Sequence, residues 1–348
     1  MRTPPESKAL RLVAERLAEL VGGSVRSLEL MDSGFDATVE VDEHVFAVEW
    51  KASGAAASVM AAAEHARRGA ADIGAHAIPL VAVPFMGEVG RERCDRAGVA
   101  WLDLSGNAQI SAPGLRIWIV GQPNRYKRVG RPSSVFAPKS SRIARWLLMH
   151  PDEVLTQREV ARATHMDEGY TSRIVAKLEE DHLITRDASG AITVRDPYLL
   201  LDAWREDYDF SKHTITKGHV AARSGTALLQ SLAAHLVERD VQYAMTGLGA
   251  AWLMTQFASF RLVTLYVTEQ PSQVLLDDIG FREEERGANV WLVLPTDAGV
   301  FHGASDVEEV RCVHPVQVDL DLEHHPERAG DAAEALRARF DWRRTDDQ

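Results

Sequence analysis

The chain has 348 residues, long enough for two or three domains of roughly 100 to 150 residues each. Its 45% hydrophobic and 26% charged residues suit a globular protein, and no run approaches the ~18 to 20 apolar residues of a membrane span. The start Met1 to Pro5 carries Arg2 and no apolar stretch, unlike a signal peptide, so a cytoplasmic location is expected. The two cysteines, Cys94 and Cys312, are too far apart for a CxxC and indicate neither a disulfide framework nor a cysteine zinc site.

The formal charge of -12 is unevenly spread: -4 over residues 1–120, +3 over 121–205 and -11 over 206–348. Gly121 to Met149 contains no acid and holds Arg125, Lys127, Arg128, Arg131, Lys139, Arg142 and Arg145. Such a run is either a solvated linker or the electrostatic footprint of a nucleic-acid module.

In chain order, the spacing of Leu10, Val13, Leu17 and Leu20 predicts a helix over Ser7–Val21, stopped by Gly22-Gly23. Two strands follow, Ala37–Val41 and Val45–Lys51, around a turn at Asp42-Glu43-His44. An Ala-rich helix then covers 55–73, IPLVAVPFM forms a buried strand, and a helix spans 88–97. Further strands lie in VAWLDLSGNAQIS and LRIWIV. This order of helix, hairpin, helix, strand describes a layered α/β domain over 1–120. A Pro-rich basic linker, 121–140, closes it.

A helix over Ser141–Met149 is followed by LTQREVARATHM, where Thr156 and Glu159 form a capping box. A third helix begins at Asp167, and TRDASGAITVRDP reads as a hairpin turning at Ser189-Gly190. Three short helices and a hairpin make a winged helix-turn-helix over 141–197. Beyond it, 198–348 alternates helices with the strands VQYAMTG, RLVTLYV and NVWLVLP, a second α/β domain ending in a helix over 329–340.

Three groups of residues are candidates for chemistry. In the third helix, burial of Ile174 or Val175 with Leu178 leaves Tyr170, Thr171, Ser172, Arg173 and Lys177 on or near the outward face, for the major groove. Lys139 and Arg142 from the basic run, with Arg186 and Arg195 of the wing, are expected at phosphates, with ordinary surface arginines the alternative for the wing pair. Glu168, Glu179, Glu180 and Asp181 dilute this positive charge, so a winged helix confined to protein contacts is a second reading. His182 stands where a glycine often ends such a helix.

In the first domain, Asp36 opens the strand before Glu49-Trp-Lys51. Glu49 and Lys51 point the same way on a strand, and an Asp and a Glu converging from adjacent strands offer hard oxygens to Mg²⁺ while Lys positions the attacking water. Glu15 or Glu19 could add a ligand. The plainer reading is an ion pair on the wet side of a strand. Asp36, Glu49 and Lys51, with Glu49-x-Lys51 as the motif, resemble the PD-(D/E)xK nuclease superfamily over residues 7–120. That resemblance implies a nuclease-like fold, with Asp36, Glu49 and Lys51 catalytic and Asp36 and Glu49 holding metal if the site is active. Phe35 stands where the motif has proline.

In the last domain, MTGLGAA followed by RLVTLYV resembles the nucleotidyltransferase pattern of a glycine turn, a helix and a metal-binding strand. Leu262 and Thr264 occupy the positions that should be acidic, so a degenerate, non-transferring domain is expected. Asp319 and Asp321 read as a charge cluster at a helix start. His314, His324 and His325 near Cys312 lack paired zinc spacing.

PKSSRIARWLL, the winged helix, ERGANVWLVLP, GVFHGA and HPVQVDLDLEHHPERAGDAAEALRARF together resemble the AbiEi-type antitoxin and transcriptional-regulator family of type IV toxin-antitoxin systems, over most of residues 135–342. The resemblance implies duplex-DNA binding through the winged helix and regulation of an operon. The expected protein is a multidomain α/β regulator: PD-(D/E)xK-like domain, winged helix-turn-helix and degenerate nucleotidyltransferase-like domain. It needs no cofactor to bind DNA, with Mg²⁺ possible at the N-terminal site, and its acidic C-terminal domain is available to a partner protein or a second copy. The alternatives are a metal-dependent DNA endonuclease and an antitoxin acting by protein contact through that C-terminal domain.

Overall fold

The computed structural model describes residues 3–31, 34–126, 134–257, 259–323 and 325–340. Lys127, Arg128 and Arg131 of the basic run, and His324, lie outside the described residues. The chain divides into two compact units, Met1–Ser133 and Ser134–Gln348.

The first unit runs α1 (Glu6–Val21), β1 (Val25–Leu30), β2 (Ala37–Val41), β3 (His44–Trp50), α2 (Ala56–Ile73), β4 (Ala77–Val83), α3 (Glu88–Ala97), β5 (Ala100–Asp103), β6 (Ala108–Ala112) and β7 (Leu115–Ile119). The seven strands form one sheet in sequential order, antiparallel except for the parallel neighbours β3–β4 and β4–β5. Those two parallel steps are the ones crossed by helices, as chain connectivity demands. Side-chain alternation sorts the sheet into two faces. Val39, Phe46, Val48, Trp50, Leu80 and Leu102 pack with Leu10, Val13 and Leu17 of α1. Val81, Val83 and Trp101 pack with Val59, Ala62 and Ala66 of α2 and with Cys94 of α3. The sequence reading lacks β1, whose VRSLEL is an edge strand with no buried residue and so no apolar alternation.

The second unit opens with α4 (Ser141–Met149), α5 (Gln157–Ala163) and α6 (Glu168–Glu180), then the wing β8 (Ile184–Arg186) and β9 (Ile192–Val194). The Thr156–Glu159 capping box forms in both directions, and Asp167 caps α6 by accepting from Tyr170 N at 2.9 Å. His182 takes the left-handed conformation that ends α6, with φ 59°. After α7 (Pro197–Asp207) come β10 (Thr214–His219), α8 (Gly225–Glu238), β11 (Tyr243–Thr246), α9 (Gly247–Thr255), β12 (Val263–Val267), α10 (Gln273–Asp278), β13 (Arg282–Glu283), β14 (Val290–Leu294), β15 (Ser305–Val307), β16 (Val310–Cys312), α11 (Pro315–Leu322) and α12 (Ala329–Arg339). The second seven-stranded sheet has the order β13-β10-β14-β12-β11-β16-β15, with β12–β14 and β11–β16 parallel. Among the described residues no helix is long and apolar enough to cross a membrane.

Candidate nucleic-acid interface

Helix α6 buries Thr171, Ile174, Val175 and Leu178, a stripe three and four residues apart. Gly169, Arg173, Ala176, Lys177 and Glu180 are exposed, with Tyr170 and Ser172 half-buried beside them. Thr171 is a correction to the sequence reading. It shares the 171/174/175/178 stripe, is fully buried, and its hydroxyl donates back to Asp167 O at 2.9 Å. It has no outward face.

The cations differ sharply in what they already hold. Lys177 lies 2.9 Å from Glu180 and 3.1 Å from Asp181, and Arg186 Nε donates to Glu179 at 2.8 Å. Arg142 is a second correction: its guanidinium turns inward and donates to both oxygens of Asp297, Nε at 2.7 Å and Nη2 at 2.8 Å. That bond raises its pKa and removes it from the DNA side. Arg173, Arg195 and Lys139 are exposed and have no carboxylate partner among the described residues. Arg162 of α5, which the sequence reading did not single out, is exposed too, its charge felt by Glu159 of the same helix. Arg173 is placed with its guanidinium 5.4 Å from the centre of the Tyr170 ring, a contact that orders the side chain without neutralising it. The signal for Arg162 was its place on the short helix preceding α6.

In the first unit, Glu49 is buried on the α2 face of β3. Its Oε1 accepts from Lys51 Nζ at 2.5 Å and lies 3.0 Å from His65 Nδ1 of α2, while Oε2 is buried with no hydrogen-bond partner. Glu49 and Lys51 do share a side, as strand geometry requires. His65 was unmarked in the sequence, being one polar residue in an Ala-rich helix. Asp36, which the β2–β3 register sets across from Glu49, accepts on Oδ2 from Trp50 N at 2.7 Å at the open end of the hairpin. Glu15 and Glu19 are on α1, which covers the opposite face of the sheet. They line a polar cavity of about 370 Å³ with Arg16, Gln122 and Tyr126 instead. The DLSGNAQI stretch is a turn in which Asp103 accepts from Met86 N, Gly106 N and Asn107 N. No three His, Cys, Asp or Glu side chains among the described residues come together to hold a metal. Glu49 offers a cation one free oxygen with an ammonium beside it, and this donor set does not fit Mg²⁺, which takes near-octahedral oxygen ligands.

A second polar centre lies inside the C-terminal part. Asp321 is fully buried on α11; its Oδ1 accepts from Tyr208 OH at 2.5 Å, Gln317 Nε2 at 2.7 Å and Tyr266 OH at 3.0 Å, and its Oδ2 from Thr246 Oγ1 at 2.5 Å. Burial pushes its pKa up to about 6 against the pull of these donors. Arg145 of α4, also buried, reaches the same network by donating to Gln317 Oε1 at 2.7 Å, and burial lowers its pKa. Asp319 is fully buried against Arg337 at 2.7 Å. The expected charge cluster at a helix start is corrected here: Asp319 and Asp321 are core residues of a helix buried on every side. Thr264 faces the same interior, its hydroxyl 2.9 Å from His325 Nε2, and Leu262 precedes β12. Burial pushes the Cys312 thiol up to about 12, against the thiolate a zinc ligand needs, and His314 caps α11.

Comparison with family models matches residues 137–191 to the MarR family and residues 193–341 to the family described as transcriptional regulator, AbiEi antitoxin, type IV TA system. Neither match extends N-terminal of residue 137. Comparisons with curated proteins and with solved structures give no significant match.

Proposed function

We propose that the protein is a DNA-binding transcriptional regulator that reads duplex DNA with the exposed face of α6, in the manner of a type IV antitoxin controlling an operon. The observation that carries this reading is the set of exposed cations that, among the described residues, no carboxylate holds in a hydrogen bond or close ion pair, Arg173 on α6, Arg162 on α5, Arg195 after the wing and Lys139 before α4, on a winged helix matching the MarR family. Arg173 is assigned to a base edge, where Arg to guanine is the commonest specific contact, and the other three to phosphates. Lys177 and Arg186 must first leave Glu180 and Glu179, so their share is smaller. The match of 193–341 to the AbiEi model and the charge of -11 over 206–348 support a protein partner for the C-terminal domain. We read that domain as nucleotidyltransferase-like and without transfer activity, because Thr264 and Tyr266, not carboxylates, look inward from β12. The N-terminal domain is read as a PD-(D/E)xK-like scaffold, and DNA binding is assigned no Mg²⁺.

The test is affinity of the full chain for a duplex selected by it from a random library, measured against salt. Arg173→Ala should weaken the selected duplex by about 1 to 3 kcal/mol and an unselected one much less. Arg162→Ala and Lys139→Ala should weaken both alike and lower the salt slope by about one each. A wild-type chain that binds neither duplex at low salt would reject the reading.

A further inference from the structure

We infer that Arg142 and Asp297 are positioning residues for DNA reading: a clamp through which the C-terminal domain sets the attitude of the winged helix. The inference rests on the proposed DNA-binding role of α6 and adds a part of the molecule that touches no DNA.

Arg142 belongs to a run of seven cations without an acid, where a phosphate contact is the natural expectation. It is instead four-fifths buried, and its two-bond fork with Asp297 crosses from α4 to the segment 295–304 that follows β14. A planar guanidinium on a carboxylate fixes direction as well as distance, which one ammonium contact does not.

The segment is shaped to α4. A Cβ on Gly299 would come 2.8 Å from Arg142 Cγ and 2.6 Å from Asp297 Oδ1, and one on Gly303 would come 2.5 Å from Met149 Cε. At Gly299 a side chain would push on the body of Arg142 itself, and at Gly303 the φ of 74° favours glycine. His302, in the same segment, sets its ring against that of His165, which has φ 52° in the turn leading into α6. At its other end Thr296 N donates to His213 Nδ1 at 3.1 Å, and His213 Nε2 lies 3.1 Å from Tyr208 OH of the Asp321 network. Arg145, one helical turn along α4 from Arg142, enters that network through Gln317. One segment therefore touches the first helix of the winged domain, the turn before the reading helix, and the core of the C-terminal domain. A winged helix held at these points presents α6 in one orientation, and base-edge bonds require such a constraint.

The clamp predicts an unusual sign. Removing an acid from a DNA-binding protein ordinarily strengthens binding by lessening repulsion. Here Asp297→Asn, which keeps an acceptor for Gly299 N, should weaken binding of the full chain to its selected duplex roughly tenfold, as should Arg142→Ala. The slope of log affinity against log salt should stay unchanged in both, because neither side chain contacts phosphate. Arg142→Lys should recover part of the loss. The result that overturns the clamp is an Arg142→Ala slope lowered by about one, with Asp297→Asn binding unchanged or tighter, since Arg142 is then a phosphate contact. Amide hydrogen exchange without DNA separates this from failure of the DNA-binding reading. Faster exchange over residues 157–186 in Asp297→Asn supports the clamp even if no duplex binds, and exchange equal to wild type overturns it.

Discussion

Two of the buried carboxylates, Asp321 and Glu49, have surroundings that could hardly differ more. Asp321, in the second unit, has four neutral donors from four different elements or their ends, and a buried arginine one amide away. Glu49, in the first unit, has a lysine ammonium and a histidine ring nitrogen on one oxygen and no hydrogen-bond partner on the other among the described residues. Lys51 and His65 are 32% and 42% exposed, so the Glu49 charge is screened from outside, whereas that of Asp321 is held by packed neutral groups. Donors that cannot reach water make an acid indispensable; cations that can reach water make it replaceable.

The largest expected effect follows from that contrast. Asp321→Ala leaves Tyr208, Tyr266, Thr246 and Gln317 with donors aimed at a hole, and leaves Arg145 buried without the nearest opposite charge. A loss on the order of 4 kcal/mol is expected in urea unfolding of the second unit. Asp321→Asn, which keeps one acceptor and the volume, should lose less. An Asp321→Ala protein within about 1 kcal/mol of wild type would break the comparison, because the network would then be ornamental.

How far the sequence announced these two centres differs for physical reasons. Glu49 and Lys51 were legible because a strand's period of two forces them to one side, a local rule. So was the winged helix: its capping box, the Asp167 cap and the turn at Ser189-Gly190 are all settled within a few residues of chain. Asp321 depends on Tyr208, Thr246 and Tyr266, residues 55 to 113 positions away, which no local pattern links. A clue did exist. In PVQVDLDL the residues around Asp319 and Asp321 are Val316, Val318, Leu320 and Leu322, too apolar for a wet helix start, with Pro315 at the first helical position. Thr171 was similarly decidable from its spacing to Ile174, Val175 and Leu178. Arg142 was not, since its partner is 155 residues on. Strands β1 and β10 escaped because VRSLEL and TITKGH carry too little buried apolar surface to alternate.

The next effect sharpens the Asp321 side through pH. Its folded pKa of about 6 lies above the ordinary 3.8, so the folded state holds the proton more tightly. The stability this gives is present at low pH and is lost as pH rises through 6, by about 2 to 3 kcal/mol. His213 and His314 act oppositely. Burial, with Arg145 nearby, lowers each from 6.5 to about 4, so stability is lost as pH falls from 6.5 toward 4, by roughly 2 kcal/mol each after allowing for partial exposure. His302 is lowered by burial as well, so three histidines act against Asp321 and the likewise raised Asp319, and the second unit should weaken on acidification. Asp321→Asn removes one opposing group, Asp319 being raised by burial as well, and should steepen that loss, measured as unfolding free energy at pH 6.5 and 4.5. An unchanged slope in the variant would show that Asp321 titrates at its ordinary value, and a shallower one that its folded pKa is lowered.

The smallest effect belongs to Glu49. Because Lys51 and His65 both address Oε1 and reach solvent, Glu49→Gln should change stability by no more than about 1 kcal/mol, the range of exposed ion pairs, and Oε2 has no bond to lose. Lys51→Met should cost somewhat more, on the order of 1 to 2 kcal/mol, since it leaves a buried carboxylate to a histidine alone. With Asp36 Oδ2 held by Trp50 N and Glu15 and Glu19 on the far face, Oε2 is the one oxygen of Glu49 left to a divalent cation. The purified chain should therefore leave supercoiled plasmid uncut in Mg²⁺ or Mn²⁺, and Glu49→Gln should leave DNA affinity and its salt slope unaltered. Metal-dependent cutting that persists through repurification and vanishes in Glu49→Gln would place a working metal on Oε2. The lone oxygen would then be the reactive feature of the first unit, and Lys51 would have to swing off Oε1 to admit the ion.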